Sequence, residues 1–168
     1  MHQLDEDGYL HTEESTIIQK ISKKTTIEPN AIAVVTSLYR IGQGIKNKLE
    51  QEVLAKHKIS WTSFSILYDL WIYGKMETKE LALSAGVSKA TISNIMRTLE
   101  NKSLCRRETD PRDRRNTFVV ITPKGKEVIE ELYPEFHEGE IAIVKGLKTD
   151  DQKQLAATLY KLIKDNKF

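Results

Sequence analysis

The apolar positions of this chain fall on helical spacing along most of its length and switch to strict alternation only once. From Asn30, the residues Ile32, Val35, Leu38, Ile41, Ile45, Leu49 and Val53 recur every three or four positions, a single stripe on one long helix. Ser60 or Thr62 opens a second helix through Phe64, Leu67, Leu70 and Trp71, and Gly74 stops it. A short helix follows Thr78, turns Leu81 and Ala82 inward and ends at Gly86. Ser88 then caps a further helix, its hydroxyl placed to accept from an early backbone amide. At the helical step, Ile92, Ile95, Met96 and Leu99 share one side. Ala90, Ser93, Asn94 and Arg97 share the other, with Lys89 and Thr91 on the flanks.

The alternation comes next. Leu104 to Thr109 and Thr117 to Thr122 read as the two strands of a hairpin. Thr122-Pro123 joins a hydroxyl cap to a proline at the first helical position. The helix it starts carries Val128, Ile129, Leu132 and Phe136, then Ile141, Ile143 and Val144. Thr149 with Gln152 fits a capping box and opens a last helix with Leu155, Leu159, Leu162 and Ile163 inward. Residues 1–28 show little apolar periodicity and read as a tail, partly ordered, with room for a short helix around Ile17, Ile18 and Ile21. The expected class is mainly α with one small β-hairpin.

Charge sharpens this picture. Val87 to Lys126 holds ten Lys and Arg against four Asp and Glu, a net +6 in a chain whose total is only +2, so the remainder is net acidic. Positive charge gathered on one helix and the adjoining hairpin is the electrostatic footprint of a protein that grips a phosphate backbone. The side of the helix bearing Ala90, Ser93, Asn94 and Arg97 is small and polar with one long cation, which suits a surface lying in a major groove. Lys89 and Thr91 suit phosphate contact better than base reading.

Composition adds bounds. A chain of 168 residues with 39% hydrophobic and 30% charged positions is one domain by size, with room for a second lobe. No apolar run approaches the ~18 residues of a membrane helix. The N-terminus, MHQLDEDGYLHTEES, is polar and acidic, the opposite of a secretory signal. The lone Cys105 has no internal disulfide partner. Together these lead us to expect a cytoplasmic protein.

The stretch TKELALSAGVSKATISNIMRTLENKSLCRRETDPRDRRNTFVVITPKG resembles the winged helix-turn-helix of the MarR (multiple antibiotic resistance regulator) family. The likeness runs from about Asn30 to Lys164 and includes the long first helix, the ISWTSFSIL entry to the second and two C-terminal helices. It implies a winged helix-turn-helix DNA-binding lobe over 59–122 and dimerisation helices over 29–58 and 123–168, with 1–28 outside. It also implies a homodimeric transcriptional regulator of an inverted-repeat operator in double-stranded DNA, usually a repressor and often released by a small-molecule effector. The DNA-contacting set it implies is Ser88, Lys89, Ala90, Thr91, Ser93, Asn94 and Arg97 on the recognition helix. In the wing it adds Arg112, Asp113, Arg114 and Arg115, with arginine reaching a minor groove and Asp113 orienting one of them. A ligand cleft is implied where the first two long helices meet the DNA lobe, which draws attention to Tyr39, His57, Trp61, Tyr68 and Trp71; the same aromatics also serve as ordinary core. The chain departs from the family at Asn94, where arginine is frequent, at Arg97, often acidic, and at Ser103, often glycine.

Rival readings have less behind them. No nucleophile elbow, phosphate loop, metal triad or paired catalytic carboxylates appear, so neither an enzyme nor a cofactor is expected. Among His2, His11, His57 and His137, only His137-Glu138 with Glu140 forms a local cluster, and it lacks a close ligand set for zinc. Cys105, without a second cysteine, fits a small hydrophobe better than a redox sensor. A winged helix that binds protein instead of DNA is the remaining alternative, opposed by the +6 segment.

Overall fold

The computed structural model describes residues 12–22, 26–109 and 117–167. The chain divides into two compact units, Met1–Asn47 and Lys48–Phe168. The first holds helix α1 (Thr12–Ile21) and most of helix α2 (Pro29–Leu49), which begins with Ala31 and Ile32 N–H donating to the Glu28 carbonyl. Within this unit none of the α2 stripe is buried, and Val35, Leu38 and Ile41 are exposed. The short helix expected around Ile17 is α1; the rest of the tail before Thr12 lies outside the described residues.

The second unit contains the core. After Leu49 the helix widens into a π-helical turn, Glu50–Leu54, which buries Val53 and Leu54. Helix α3 (Trp61–Tyr73) is capped by Ser60, whose hydroxyl accepts from Ser63 N–H, and ends on Gly74 at φ 76°. Ser60, not Thr62, is therefore the start signal. Strand β1 (Lys75–Glu77) and helix α4 (Thr78–Ser84) follow, joined by a reciprocal capping box between Glu77 and Glu80. Helix α5 (Lys89–Asn101) is capped by Ser88, which accepts from Thr91 N–H. Strands β2 (Cys105–Thr109) and β3 (Thr117–Ile121) form the expected hairpin, with Thr109 opposite Thr117.

The sheet has a third strand that the sequence did not reveal. Its order is β1-β3-β2, all antiparallel, with Met76 opposite Val119. Three residues are too few to establish an alternation, so β1 left no periodic signal. Its pairing places the start of α4 beside the hairpin.

Helix α6 (Pro123–Val144) starts as expected, Thr122 accepting from Gly125 N–H with Pro123 in the first turn. Ile129, Leu132 and Phe136 are buried against the rest of the unit, joining Phe64, Ile66, Leu67, Leu70, Leu81, Ile92, Met96, Leu99 and Val119 in one core. Helix α7 (Thr149–Asn166) corrects two expectations. Its N-cap is Lys148 without a side-chain cap, and Thr149 is already helical. Gln152 instead donates its amide to the Leu147 and Val144 carbonyls at 3.0 and 3.3 Å, closing the α6–α7 turn in place of a capping box. Nor are Leu155, Leu162 and Ile163 inward: all are exposed, Leu159 is half-buried, and no α7 side chain is buried. Periodicity identifies an apolar side of a helix but not what covers it.

Helix ends are set by one recurring device. Ile59, Val87 and Leu104 N–H each donate back to the carbonyl five residues earlier, at Leu54, Ala82 and Leu99. The preceding residue in each case is left-handed: Lys58 at φ 55°, Gly86 at 62° and Ser103 at 60°. These are Schellman closures, and glycine is the residue that fits their left-handed position without strain. Beyond Ser103 the packing is tight. A Cβ built on Gly125 would overlap the Leu104 carbonyl oxygen.

Cys105 lies in the core beside this junction, 3% exposed. Burial first, and then the Glu100 carboxylate, push its thiol up to about 12, with Arg107 opposing. At neutral pH it is a protonated, covered sulfur, which removes the thiolate that redox chemistry needs.

Two outcomes follow. Ser103→Gly should stabilise the fold by about 0.5–1 kcal/mol, through relief of the left-handed backbone, whereas Gly125→Ala should destabilise it by about 1–3 kcal/mol, through overpacking. Urea unfolding midpoints read both, and a Gly125→Ala variant as stable as the parent would contradict the close approach. The Cys105 thiol should react with a disulfide reagent near pH 8 only as fast as the protein unfolds. Rapid modification of the folded protein would place the sulfur elsewhere.

Candidate nucleic-acid interface

The helix-turn-helix is built from α4, the Gly86 turn and α5. Ile92, Met96 and Leu99 of α5 are buried and Ile95 is half-buried, so the opposite side of the helix must face outward. Lys89, Ala90, Thr91, Ser93, Asn94 and Arg97 are all exposed, as is Ser88 at the cap. The recognition set expected on this helix therefore shares one open surface.

Much of that surface is internally hydrogen-bonded. Arg97 Nη2 donates to Asn94 Oδ1 at 2.6 Å. Ser93 Oγ donates to the Lys89 carbonyl at 2.9 Å. The Ser88 and Thr91 hydroxyls are 2.8 Å apart. Charge-assisted contacts of the Arg97 type are the stronger kind, so Asn94 and Arg97 form a held pair and not two independent rotors.

Beside α5 lies a groove of about 400 Å³, lined by Glu77, Thr78, Lys79, Lys89, Ser93, Arg107 and Thr117. It joins the start of α4, the first turns of α5 and the base of the hairpin. Three of its residues are cations, and two of these, Lys79 and Arg107, escaped the sequence analysis. Lys79 is bridged to Glu77 at 2.7 Å. Hydrogen bonding to Glu77 and that carboxylate's charge hold its pKa above the usual lysine range. Arg107 donates to the Ser93 carbonyl at 3.4 Å and lies 3.5 Å from Glu100, so strand β2 is tied to the recognition helix. Neither carried a sequence signal: Arg107 lies on the same side of β2 as the buried Cys105 and opposite the buried Val119, where alternation predicts an apolar residue, and the placement of Lys79 depends on β1.

Further out on the sheet, Glu108 bridges Arg106 at 2.8 Å and Lys75 at 3.1 Å. The hydrogen bond from Arg106, then that from Lys75, holds the Glu108 carboxyl below the usual range. Lys75 Nζ also sits 4.5 Å above the Phe118 ring centroid. The arginines expected at the wing, Arg112, Arg114 and Arg115, and Asp113 with them, lie outside the described residues.

Within the second unit, the residues considered for a ligand do not gather at one place. Trp61 and Tyr68 line a cavity of about 350 Å³ with Phe64, Ser65, Asp69, Ser84, Phe136 and Glu140. Trp71 continues the same aromatic cluster, 5.4 Å from the Tyr133 ring, and its Nε1–H points to Glu130 at 3.4 Å. His57 lines a different, smaller groove with Ile59, Lys102, Leu104, Lys124 and Val128, and lies 3.6 Å from Glu135. Tyr39 is in the first unit and exposed. Among the described residues no group of three His, Cys, Asp or Glu side chains is placed to hold a metal ion. Nor does any described helix have the length and apolarity to cross a membrane.

Comparison with known proteins matches this geometry. The MarR family model matches residues 59–117, from the start of α3 into β3. The uncharacterized HTH-type transcriptional regulator YwaE of Bacillus subtilis (strain 168) is 48% identical over 155 residues, spanning 91% of each chain. Among solved structures, the Staphylococcus aureus MepR–DNA complex superposes with a TM-score of 0.67 at 27% identity, covering 77% of this chain and 96% of that one. The structure of Bordetella bronchiseptica BpsR, whose DNA binding is regulated by 6-hydroxynicotinic acid, gives a TM-score of 0.69 at 23% identity, over 77% and 97% of the two chains, a likeness of fold. A relative 48% identical along nine-tenths of the sequence, a family model lying over the helix-turn-helix and this shared architecture identify the chain as a member of the MarR family of winged helix-turn-helix transcriptional regulators, DNA-binding proteins that are not enzymes.

Proposed function

We propose that the protein is a homodimeric, cytoplasmic repressor that binds an inverted-repeat operator and is released by a small-molecule effector. The observation that carries the DNA part is the single exposed surface of α5, from Lys89 to Arg97, flanked by the groove of Lys79, Lys89 and Arg107. On this reading Ser93, Asn94 and Arg97 meet base edges. Ser88, Ala90 and Thr91 line the approach, and Lys79, Lys89 and Arg107 neutralise phosphates. Residues 59–122 act as the DNA lobe, with arginine from Arg112, Arg114 and Arg115 entering the adjacent minor groove and Asp113 orienting one of them.

The Asn94–Arg97 pair bears on which base is read. A bidentate contact to adenine needs both the amide and the carbonyl of an asparagine. Here Arg97 occupies the Asn94 carbonyl oxygen. An edge with two acceptors, as guanine offers, can meet the Asn94 amide and the Arg97 guanidinium without breaking the pair. The effector site is the cavity lined by Trp61 and Tyr68, beside α4.

Dimerisation is supported by the uncovered apolar side of α7 and by the exposed α2 stripe, so 29–58 and 123–168 are assigned to it, with 1–28 left outside. An isologous pair would cover both. Leu159→Asp should abolish the dimer in sedimentation at micromolar concentration and weaken DNA binding with it. A parent protein that sediments as a monomer would defeat the assignment.

Footprinting on genomic DNA should reveal two half-sites about one helical turn, ~10 bp, apart. Protection of one isolated half-site would contradict it, and loss of the protein should raise transcription from the bound promoters if it represses. Arg107→Ala and Arg114→Ala should each lower affinity for all sequences and reduce the slope of log K against log salt by about one unit. Asn94→Ala should instead change the preferred base. Equal loss for every sequence in Asn94→Ala would remove it from base reading, and unchanged affinity in an Arg112→Ala, Arg114→Ala double variant would favour a protein-binding winged helix over this reading.

A further inference from the structure

The cavity beside α3 and α6 has a chemistry of its own. Its floor is Phe64 and Phe136, 4% and 5% exposed, with rings stacked at 4.2 Å. Trp61 stands 6.0 Å from Phe136 and 6.4 Å from Phe64. Tyr68 stands 6.0 Å from Phe64, and Tyr133 extends the stack behind it at 5.7 Å. Besides the Tyr68 phenol and the Trp61 indole, the polar lining is two hydroxyls and two carboxylates: Ser65, Ser84, Asp69 and Glu140. The Ser65 hydroxyl is turned back to the Trp61 carbonyl at 3.1 Å, and Ser84 Oγ donates to Asp69 Oδ2 at 2.5 Å. Glu140 Oε2 lies 2.9 Å from His137 Nδ1. No lysine, arginine or histidine is among the lining residues.

That combination decides the charge of a ligand. A carboxylate or phenolate entering here would meet two like charges and no cation. An organic cation would meet π-faces, which attract it, and two carboxylates at the cavity edge. At about 350 Å³ the cavity is at the small end of drug-sized sites, so the cation must carry its charge on a compact apolar body. The serines cannot reverse this preference, since both donate their protons within the protein. Asp69 and Ser84 further join α3 to the end of α4, so a ligand that competes for Asp69 pulls directly on the first helix of the helix-turn-helix.

We infer that this cavity takes a lipophilic organic cation, of the quaternary ammonium or phosphonium kind, and that Asp69 and Glu140 select its charge. The inference rests on the cavity being the effector site, as proposed above, only for its consequence on DNA.

The test separates the two. The chain has two tryptophans, so Trp71→Phe leaves Trp61 as the sole indole reporter. Tetraphenylphosphonium and tetraphenylborate share shape and apolar area and differ in the sign of their charge. The cation should quench Trp61 saturably and bind at least tenfold more tightly than the anion, and an Asp69→Asn, Glu140→Gln double variant should lose that preference while keeping the parent melting temperature. Equal or tighter binding of tetraphenylborate, a preference unchanged in the double variant, or no saturable quenching by either probe would each overturn the inference. Anisotropy of a labelled footprinted DNA is read in parallel. Tight, charge-selective binding of the cation without release of DNA would leave the inference standing and remove the effector role from this cavity.

Discussion

The peptide unit of Leu104 holds the DNA lobe together. Its N–H closes α5 by donating to the Leu99 carbonyl at 2.9 Å. Its carbonyl accepts from Thr122 N–H at 3.1 Å, at the point where α6 begins. The first turn of α6 then lies so close that only a glycine fits at 125. Around this unit, Thr122 Oγ1 donates to the Ser103 carbonyl at 2.7 Å and Lys124 Nζ to the Lys102 carbonyl at 3.0 Å. The end of the recognition helix, the start of the hairpin and the start of α6 are thus pinned to one residue. Each such bond contributes only about 1 kcal/mol net, but they share one rigid geometry, so a rotation of α5 cannot occur without displacing the sheet or α6. The left-handed Ser103 persists because these surroundings over-determine it.

The second coupling runs through the sheet. Because β1 pairs with β3, the start of α4 is fixed relative to the hairpin as well as to α5, and Thr78 Oγ1 strengthens this by donating to the Thr117 carbonyl at 3.1 Å. Arg107 repeats the device from the other strand through Ser93 and Glu100. The groove of Lys79, Lys89 and Arg107 is therefore assembled from three elements whose mutual positions are each set by hydrogen bonds. For the phosphate contacts proposed above this is preorganisation: the cations would need little rearrangement to meet a backbone of fixed charge spacing.

Much of this is legible in the sequence. The caps at Ser60, Ser88 and Thr122, the stop at Gly74 and the buried side of α5 follow from local rules that act within four or five residues. The face bearing Ser93, Asn94 and Arg97 follows from the same helical periodicity. What was not legible depends on contacts distant in sequence. Strand β1 is too short to carry a pattern and exists because β3 pairs with it. Lys79 joins the groove beside α5 only through that pairing. Gln152 looked like a capping residue because its spacing from Thr149 fits, yet the carbonyls of Val144 and Leu147 left open by the end of α6 competed for its amide and won. The separation of His57 from Trp61, Tyr68 and Trp71 has the same origin: which aromatics share a cavity is decided by how α3 packs on α6, and sequence spacing along one helix cannot express that.

The distribution of apolar surface separates two kinds of helix. In α3 and α5 most apolar residues are consumed by the core, and what remains outside, Ile72 apart, is polar, aromatic-polar or half-buried. In α7 none is consumed: Leu155, Tyr160, Leu162 and Ile163 are exposed along a helix of 18 residues with no buried side chain. An isolated helix of that length is only marginally stable in water, and most helices in proteins owe their stability to packing of an apolar side. The second half of α6 has the same character, with Ile141 and Val144 exposed beyond the buried Phe136. Exposed apolar residues scattered singly need no explanation, but a stripe that continues from one helix end into the next helix is a surface built to be covered. The lobe that carries the recognition helix satisfies itself; the C-terminal helices do not. A second copy of the chain would supply matching helices at the same time as a second α5, so the one association proposed above would meet both the energetic need of α7 and the two-fold symmetry of the proposed inverted repeat.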